Sequence, residues 1–187
     1  MRLTVTGPRI SSTASPVVDL PPQQRDVVEL LLEAHIEARQ VVCMAESLSS
    51  GSATCGARET ATTIADHVEW MLPLHCDDED QSVAPRLMGR HPVVDDALGK
   101  MKRQHLSLEA PMARVRMLCM ILSRDISRLH ALRFELGAAV KDLRERLAEH
   151  HALEESIVFP ALKRLLFVDE LESIVAEMRA RRLAFAA

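Results

Sequence analysis

The chain has no tyrosine, and aromatic residues make up only 3% of its 187 positions. The absence of tyrosine excludes tyrosyl-radical chemistry and any mechanism that needs a tyrosine ligand or acid. Long apolar runs are also missing. The densest one, residues 118–122, is far shorter than the roughly 20 residues that a membrane-spanning helix needs. We therefore expect no transmembrane segment.

The charge balance and the cysteines exclude further classes. A net charge of −4 gives no basic footprint for nucleic acid. No C-x-x-C occurs, which argues against a zinc ribbon or a thioredoxin-like motif, and we expect reduced thiols at Cys43, Cys55, Cys76 and Cys119. The N-terminus lacks an apolar signal core, so a cytoplasmic location is expected.

Strand signals are nearly absent, and the spacing of apolar residues predicts an all-α chain. A Ser/Thr/Pro-rich tail over residues 1–20 is expected to be irregular, with one domain over 21–187. The second helix should be kinked or interrupted at Pro73 and Pro85. Four long helices with short connections indicate an up-down-up-down four-helix bundle, with an extra C-terminal helix on its outside or end. The predicted helices cover residues 21–47, 57–87, 92–123, 127 or 132–166, and 169–182.

The pattern H-x3-E-x5-P occurs twice, 75 residues apart. The two copies are His75, Glu79 and Pro85, and then His150, Glu154 and Pro160. Positions i and i+4 share one face of a helix, so each copy places an imidazole beside a carboxylate. Two such pairs that face each other across a bundle would form a dinuclear metal site.

The other two long helices add further candidate ligands. His35 lies in the first helix and His105 in the third, where Glu109 completes another H-x3-E. Imidazoles suit iron, zinc, copper and nickel, and carboxylates can bridge two ions. We predict terminal nitrogen ligands, two bridging carboxylates and Glu109 as a seventh ligand. The set is His35, His75, Glu79, His105, Glu109, His150 and Glu154.

An alternative register exists on the fourth helix, because His151 and Glu155 also form an H-x3-E. One residue turns a helix by ~100°, so both pairs are not expected to point inward together. The matching distance to proline favours the pair of His150 and Glu154. A ferritin-like site is disfavoured, since that class uses Glu-x-x-His and no glutamate here has histidine three residues later.

These motifs resemble the hemerythrin-like (HHE cation-binding) family over roughly residues 25–182. That family carries a histidine on the first helix, H-x3-E on the second, a histidine on the third and H-x3-E on the fourth. The fourth-helix signature is similar here, from His150 through Glu154 and Glu155 to the residues Val158-Phe159-Pro160-Ala161-Leu162. Residues 176–182 also look like a common bacterial ending.

The resemblance implies two iron ions in an oxo- or hydroxo-bridged non-haem centre, with zinc or manganese as alternatives. Dioxygen, peroxide or nitric oxide would be the partner, for sensing, iron handling or protection from oxidative stress. Oxygen carriers of the family have a second histidine on the third helix and H-x4-D on the fourth. Glu109 and H-x3-E replace them here, which makes reversible oxygen carriage a poorer match. The alternatives are a di-iron enzyme that decomposes peroxide or reduces nitric oxide, and a metal-free helical interaction module.

Overall fold

The computed structural model describes residues 26–51 and 56–185, and all regular structure within these ranges is helical. The predicted all-α class is therefore confirmed. The predicted tail of residues 1–20 lies outside the described residues. The helices are α1 (Val27–Ser50), α2 (Ala57–Asp66), α3 (Leu72–Asp78), α4 (Ala84–Leu87), α5 (Pro92–Arg124), α6 (Leu129–Leu153), α7 (Phe159–Leu165) and α8 (Val168–Phe185).

Helix α1 begins later than the sequence predicts because a capping box fixes its first turn. The Asp26 side chain accepts a hydrogen bond from the Glu29 backbone N–H, and the Glu29 carboxylate accepts one from the Asp26 N–H. These contacts satisfy two backbone donors that have no partner within the helix. Gly51 then ends α1 in the left-handed conformation, with φ of 79°.

Prolines do not interrupt the second long helix, which runs without a break over residues 57–87. Short π-helical segments precede them instead, at His67–Met71 before Pro73 and at Glu79–Val83 before Pro85. A third one, Glu154–Val158, joins α6 to α7 just before Pro160. Proline lacks an N–H and clashes with the carbonyl four residues earlier, so a wider turn lets the helix continue. The predicted interruption is therefore replaced by a local change of hydrogen-bond pattern.

Two apolar cores lie along the long helices. Core 1 draws its residues from the ranges 38–48, 61–72, 108–122 and 136–147, and core 2 from 27–31, 83–87, 94–101, 158–166 and 174–178. Helix α1 starts in core 2 and ends in core 1, and the second long helix returns from core 1 to core 2. Helix α5 again runs from core 2 to core 1, and residues 129–165 run back to core 2. Helices α1 and α5 each contact both α2 and α6.

The C-terminal helix α8 contributes to core 2 and is fastened to the second long helix by ion pairs. Arg181 Nε donates to Asp78 Oδ1 at 2.8 Å, and an Arg182 guanidinium nitrogen donates to Asp78 Oδ2 at 2.7 Å. The Asp78 carboxylate is fully buried. Arg86 and Glu177 form a further pair between the same helices, with N–O contacts down to 2.6 Å. None of the helices in residues 26–51 and 56–185 is long and apolar enough to cross a bilayer.

Candidate metal centre

A polar layer separates the two apolar cores. In every long helix its residues fall in the gap between the core 1 range and the core 2 range, as His35 does between residues 31 and 38 of α1. All of them are at most 8% exposed, although each is titratable. Charged residues are almost never fully buried unless they are paired. The layer consists of His35, His75, Glu79, His105, His150 and Glu154, which are six of the seven predicted ligands.

These six side chains form two overlapping groups that could each hold a metal ion. The first is His35, His75, Glu79 and Glu154, and the second is Glu79, His105, His150 and Glu154. Within each group the potential ligand atoms all lie within 4.8 Å of one another. Both carboxylates are shared by the two groups, whereas each pair of imidazoles belongs to only one. This is the distribution that two ions with two bridging carboxylates require.

The individual carboxylate oxygens follow the same division. Glu79 Oε1 lies 3.3 Å from His75 Nε2, and Glu79 Oε2 lies 3.1 Å from His105 Nε2. Glu154 Oε2 lies 3.1 Å from His35 Nε2, and Glu154 Oε1 lies 3.2 Å from His150 Nε2. Each glutamate therefore directs one oxygen toward each half of the site.

The acidic residue that follows each glutamate contacts the Nδ1 atom of a histidine, which is the ring nitrogen that does not face the glutamates. Glu155 Oε1 lies 2.8 Å from His35 Nδ1 and also accepts a hydrogen bond from Arg39 at 3.0 Å. Asp80 Oδ2 lies 3.2 Å from His105 Nδ1. The two acids are 75 residues apart, so the internal repeat extends to them. Carboxylates in this position fix the tautomer and ring orientation of a histidine ligand.

The donor atoms fit a cation better than they fit each other. Among the described residues, eleven buried side-chain N and O atoms have no hydrogen-bond partner; seven of them belong to these six side chains and an eighth to the adjacent His151. Leaving such atoms unpaired costs about 1–3 kcal/mol each. A metal ion can accept one lone pair from each imidazole, since the other ring nitrogen of a neutral histidine carries the proton, and lone pairs from the carboxylate oxygens. The eight atoms are His75 Nδ1 and Nε2, Glu79 Oε1, His105 Nδ1, His150 Nδ1 and Nε2, His151 Nε2 and Glu154 Oε1.

Protonation in the cluster is uneven. Burial lowers the pKa of His75 to about 4, which leaves its imidazole neutral and able to bind a metal. Burial opposes the ionisation of Glu79, but the neighbouring His75 and His105 hold its pKa well below the usual range. Burial and the adjacent Glu79 charge raise the pKa of Glu154 well above its usual value. A metal cation would stabilise the ionised form of both carboxylates.

Residue His105 also contacts a cysteine. Although burial opposes its charged form, hydrogen bonding and attraction from Cys76 and Glu79 raise the pKa of His105 to about 11. Burial raises the pKa of the Cys76 thiol. This thiol adjoins the predicted ligand His75 in sequence. Cys76, Cys43 and Cys119 are free thiols.

Glu109 is not brought to the cluster. Its side chain is exposed on α5, and it belongs to none of the groups of potential ligands found among the described residues. The buried stripe of α5 passes through Met101, His105, Leu108 and Val115. Position 109 lies ~80° round the helix from Met101, at the edge of this stripe, and its side chain is exposed.

His151 joins the cluster, although the sequence favours its neighbour. Both His150 and His151 are buried, at 1% and 3% exposure, whereas the Glu155 side chain is 38% exposed. The expectation that only one H-x3-E faces inward thus holds for the glutamates and is wrong for the histidines. No signal in the sequence distinguishes the two histidines except their distance from Pro160.

Two cavities approach the polar layer from outside. One of about 390 Å³ lies between α1 and α6, is lined mainly by apolar surface and includes His151 and Glu155 in its wall. The other, of about 100 Å³, is lined by residues of α1 and the second long helix, including His67 and His75, and by Arg182 of α8. Each of the two cavities therefore has one buried histidine, His75 or His151, in its wall.

No protein-family model matches the chain, and no curated protein matches it.

Proposed function

We propose that this chain is a hemerythrin-like protein that holds two iron ions between four helices and binds a small ligand there. Its long helices would form an up-down-up-down bundle, with α8 as the extra C-terminal helix. The alternating passage of the helices between core 1 and core 2 supports this arrangement.

The pattern of sharing in the two ligand groups carries the proposal. Only Glu79 and Glu154 occur in both groups, and each directs its two oxygens to different imidazole pairs. A single-ion site would give no reason for this division. His35 and His75 would hold one ion, and His105 and His150 the other. Mixed imidazole and carboxylate ligation in a helical bundle favours iron, with zinc or manganese as alternatives.

When bound, the iron pair would supply redox chemistry and a coordination position for dioxygen, peroxide or nitric oxide. The chain's own residues would exclude bulk water, since the six ligands are buried between two apolar cores. Glu155 and Asp80 would hold the imidazoles of His35 and His105 in their binding orientation. The cavity between α1 and α6 would admit the ligand.

A metal-free interaction module explains the structure less well. Such a protein would be more stable with apolar side chains in the layer between its cores, because buried polar atoms without hydrogen-bond partners lower the free energy of unfolding. The concentration of seven such atoms in this layer, with an eighth on the adjacent His151, argues for a bound cation.

The deciding experiment is metal analysis of the purified chain, together with its absorption spectrum in air. We expect two iron ions per chain and absorption in the near ultraviolet, whereas zinc would give a colourless protein. The double variant His75→Ala/His150→Ala should lose most of the metal, and His91→Ala/His130→Ala, which changes two exposed histidines, should keep it. Peroxide consumption by the iron-loaded chain would favour the enzymatic alternative. If the double site variant still holds two ions, the site is misplaced.

A further inference from the structure

The buried polar layer needs a route by which its ions can enter. The six proposed ligands are at most 8% exposed, and the two apolar cores close the layer on both sides along the helices. Among the described residues, His75 is the one proposed ligand that lines either of the two cavities beside the layer. It lines the smaller cavity, of about 100 Å³, between α1 and the second long helix. An ion in this smaller cavity therefore meets a proposed ligand directly.

The polar residues in the wall of the smaller cavity differ in exposure. Glu37 on α1 is exposed. Glu33, one turn earlier, and His67 of the second long helix are partly exposed, and His75 is 3% exposed. Carboxylate and imidazole groups both bind divalent transition-metal ions. The wall therefore offers an ion a series of donor groups between solvent and the buried layer.

The His75 ring indicates that a polar species fills the smaller cavity. Its Nε2 lies 3.3 Å from Glu79 Oε1, so Nδ1 is the ring nitrogen that faces away from this glutamate. Nδ1 is buried and makes no hydrogen bond, whereas the same atom of His35 meets the Glu155 carboxylate. Buried polar atoms in proteins nearly always have a partner, from the protein or from ordered water. Water or a hydrated ion in the cavity would supply the partner that the protein does not.

Size and charge both favour a cation in the smaller cavity. About 100 Å³ holds roughly three water molecules at ~30 Å³ each, and typical sites for organic ligands are larger, at about 300–1,000 Å³. Its wall carries the carboxylates of Glu33 and Glu37 and one guanidinium, Arg182, which donates to the buried Asp78 carboxylate at 2.7 Å. In the larger cavity both glutamates form ion pairs with arginines of the same wall, and the rest is mainly apolar.

We propose that divalent metal ions enter the centre through the smaller cavity, attracted by Glu33 and Glu37, and pass His67 to reach His75. This inference rests on the proposed two-ion centre and adds to it a route for the ions. The larger, mainly apolar cavity between α1 and α6 is then left for the small ligand. Metal ion and ligand reach the centre from different sides of α1.

The test measures the rate at which the full metal-free chain takes up Fe²⁺ without oxygen, and the rate at which a chelator removes iron from the loaded chain. Glu33→Gln/Glu37→Gln removes both carboxylate charges from the smaller cavity. The control Glu46→Gln/Glu149→Gln changes the net charge equally, at the larger cavity and on the exposed surface of α6. Circular dichroism checks that each metal-free form is folded.

A second pair of variants fills one cavity each. Ala34→Leu places a larger side chain in the smaller cavity, and Ala148→Leu places one in the larger cavity. Neither alanine belongs to an apolar core, since Ala34 is partly exposed and Ala148 is exposed. The two substitutions therefore differ in the route that they obstruct and not in the packing of the helices.

The charge variant should take up Fe²⁺ at least about 10-fold more slowly than its control at low ionic strength, and the difference should shrink as salt is added. Ala34→Leu should slow uptake and release by the same factor, because an obstructed route changes both rates and leaves the final metal content unchanged. Ala148→Leu should change neither rate.

Other outcomes overturn the route or the centre separately. Equal uptake rates for the two charge variants would overturn the inference, and so would slower uptake in Ala148→Leu without slower uptake in Ala34→Leu. In both cases a final content of two ions would leave the proposed centre standing. If the wild-type chain takes up no metal, the proposed function fails and the route with it. If a metal-free form is not folded, the release rates of the loaded Ala34→Leu and Ala148→Leu chains decide.

Discussion

Metal removal should lower the thermal stability of this protein by a large amount. In the metal-free chain four buried groups that face the proposed ions make no hydrogen bond, one each on His75, Glu79, His150 and Glu154, although His75 Nε2 lies 3.3 Å from Glu79 Oε1 and His150 Nε2 lies 3.2 Å from Glu154 Oε1. At about 1–3 kcal/mol for each unpaired group, the penalty is roughly 4–12 kcal/mol. The whole stability of a domain is only about 5–15 kcal/mol. The cluster is therefore a substantial liability until cations fill it.

The penalty can be converted into a shift of the melting temperature. For a chain of 150–250 residues, 1 kcal/mol corresponds to about 2–4 °C. The lower bound of roughly 4 kcal/mol then predicts that the iron-loaded chain melts at least about 8 °C above the metal-free chain. Circular dichroism or calorimetry would measure this, after metal content has been determined for both samples.

Matched variants make the comparison specific to the cluster. His91→Ala/His130→Ala should keep the full shift, because both of these histidines are exposed. His75→Ala/His150→Ala should show little or no shift, because half of the imidazoles in the polar layer are gone. Equal melting temperatures for verified metal-free and metal-loaded wild-type chains would refute the reasoning from unpaired groups.

Three further substitutions test the surroundings of the cluster. Glu155→Gln should weaken metal binding about 10–100-fold, because the His35 ring loses the carboxylate that orients it. Competition with a chelator would measure the affinity, and an unchanged affinity would show that Glu155 does not orient His35. Glu109→Ala should leave the metal content unchanged, because this side chain is exposed. Loss of an ion in this variant would show that Glu109 is a ligand. Asp78→Ala should lower the free energy of unfolding, measured by denaturant titration, by about 3 kcal/mol, because the partly exposed Arg181 loses a buried partner. A change under about 1 kcal/mol would show that α8 is held in place by core 2 alone.

The sequence predicted most of the helices because periodicity reports burial directly. Helix α5 was expected over residues 92–123 and is found at Pro92–Arg124. The start of α1 was predicted wrongly because two prolines look like a helix start, whereas the Asp26 and Glu29 capping box defines it. The spacing of apolar residues and prolines does not predict the three π-helical segments. The prolines indicate only that the helix must adapt, and not whether it breaks or widens.

The ligands that sequence reasoning identified are those whose spacing repeats. His75 with Glu79 and His150 with Glu154 are fixed by one register within a single helix, so a linear pattern is sufficient to find them. Asp78 and His151 have no such repeat: Asp78 depends on two arginines from α8, and His151 depends on which neighbours α6 packs against. Contacts between distant segments are set by packing, which a linear pattern does not encode.

The 75-residue repeat has a physical meaning beyond its ligands. In each copy the glutamate is the first residue of a π segment, so the carboxylate that we propose as a bridge lies where the helix widens ahead of its proline. The acid that follows it contacts the lone histidine of the other half: Asp80 meets His105, and Glu155 meets His35. In the proposed centre, each half of the chain would thus supply both a carboxylate and the contact that orients a ligand from the opposite half. Neither half of the chain completes this arrangement alone, which explains why the repeated elements must pack together before the site exists.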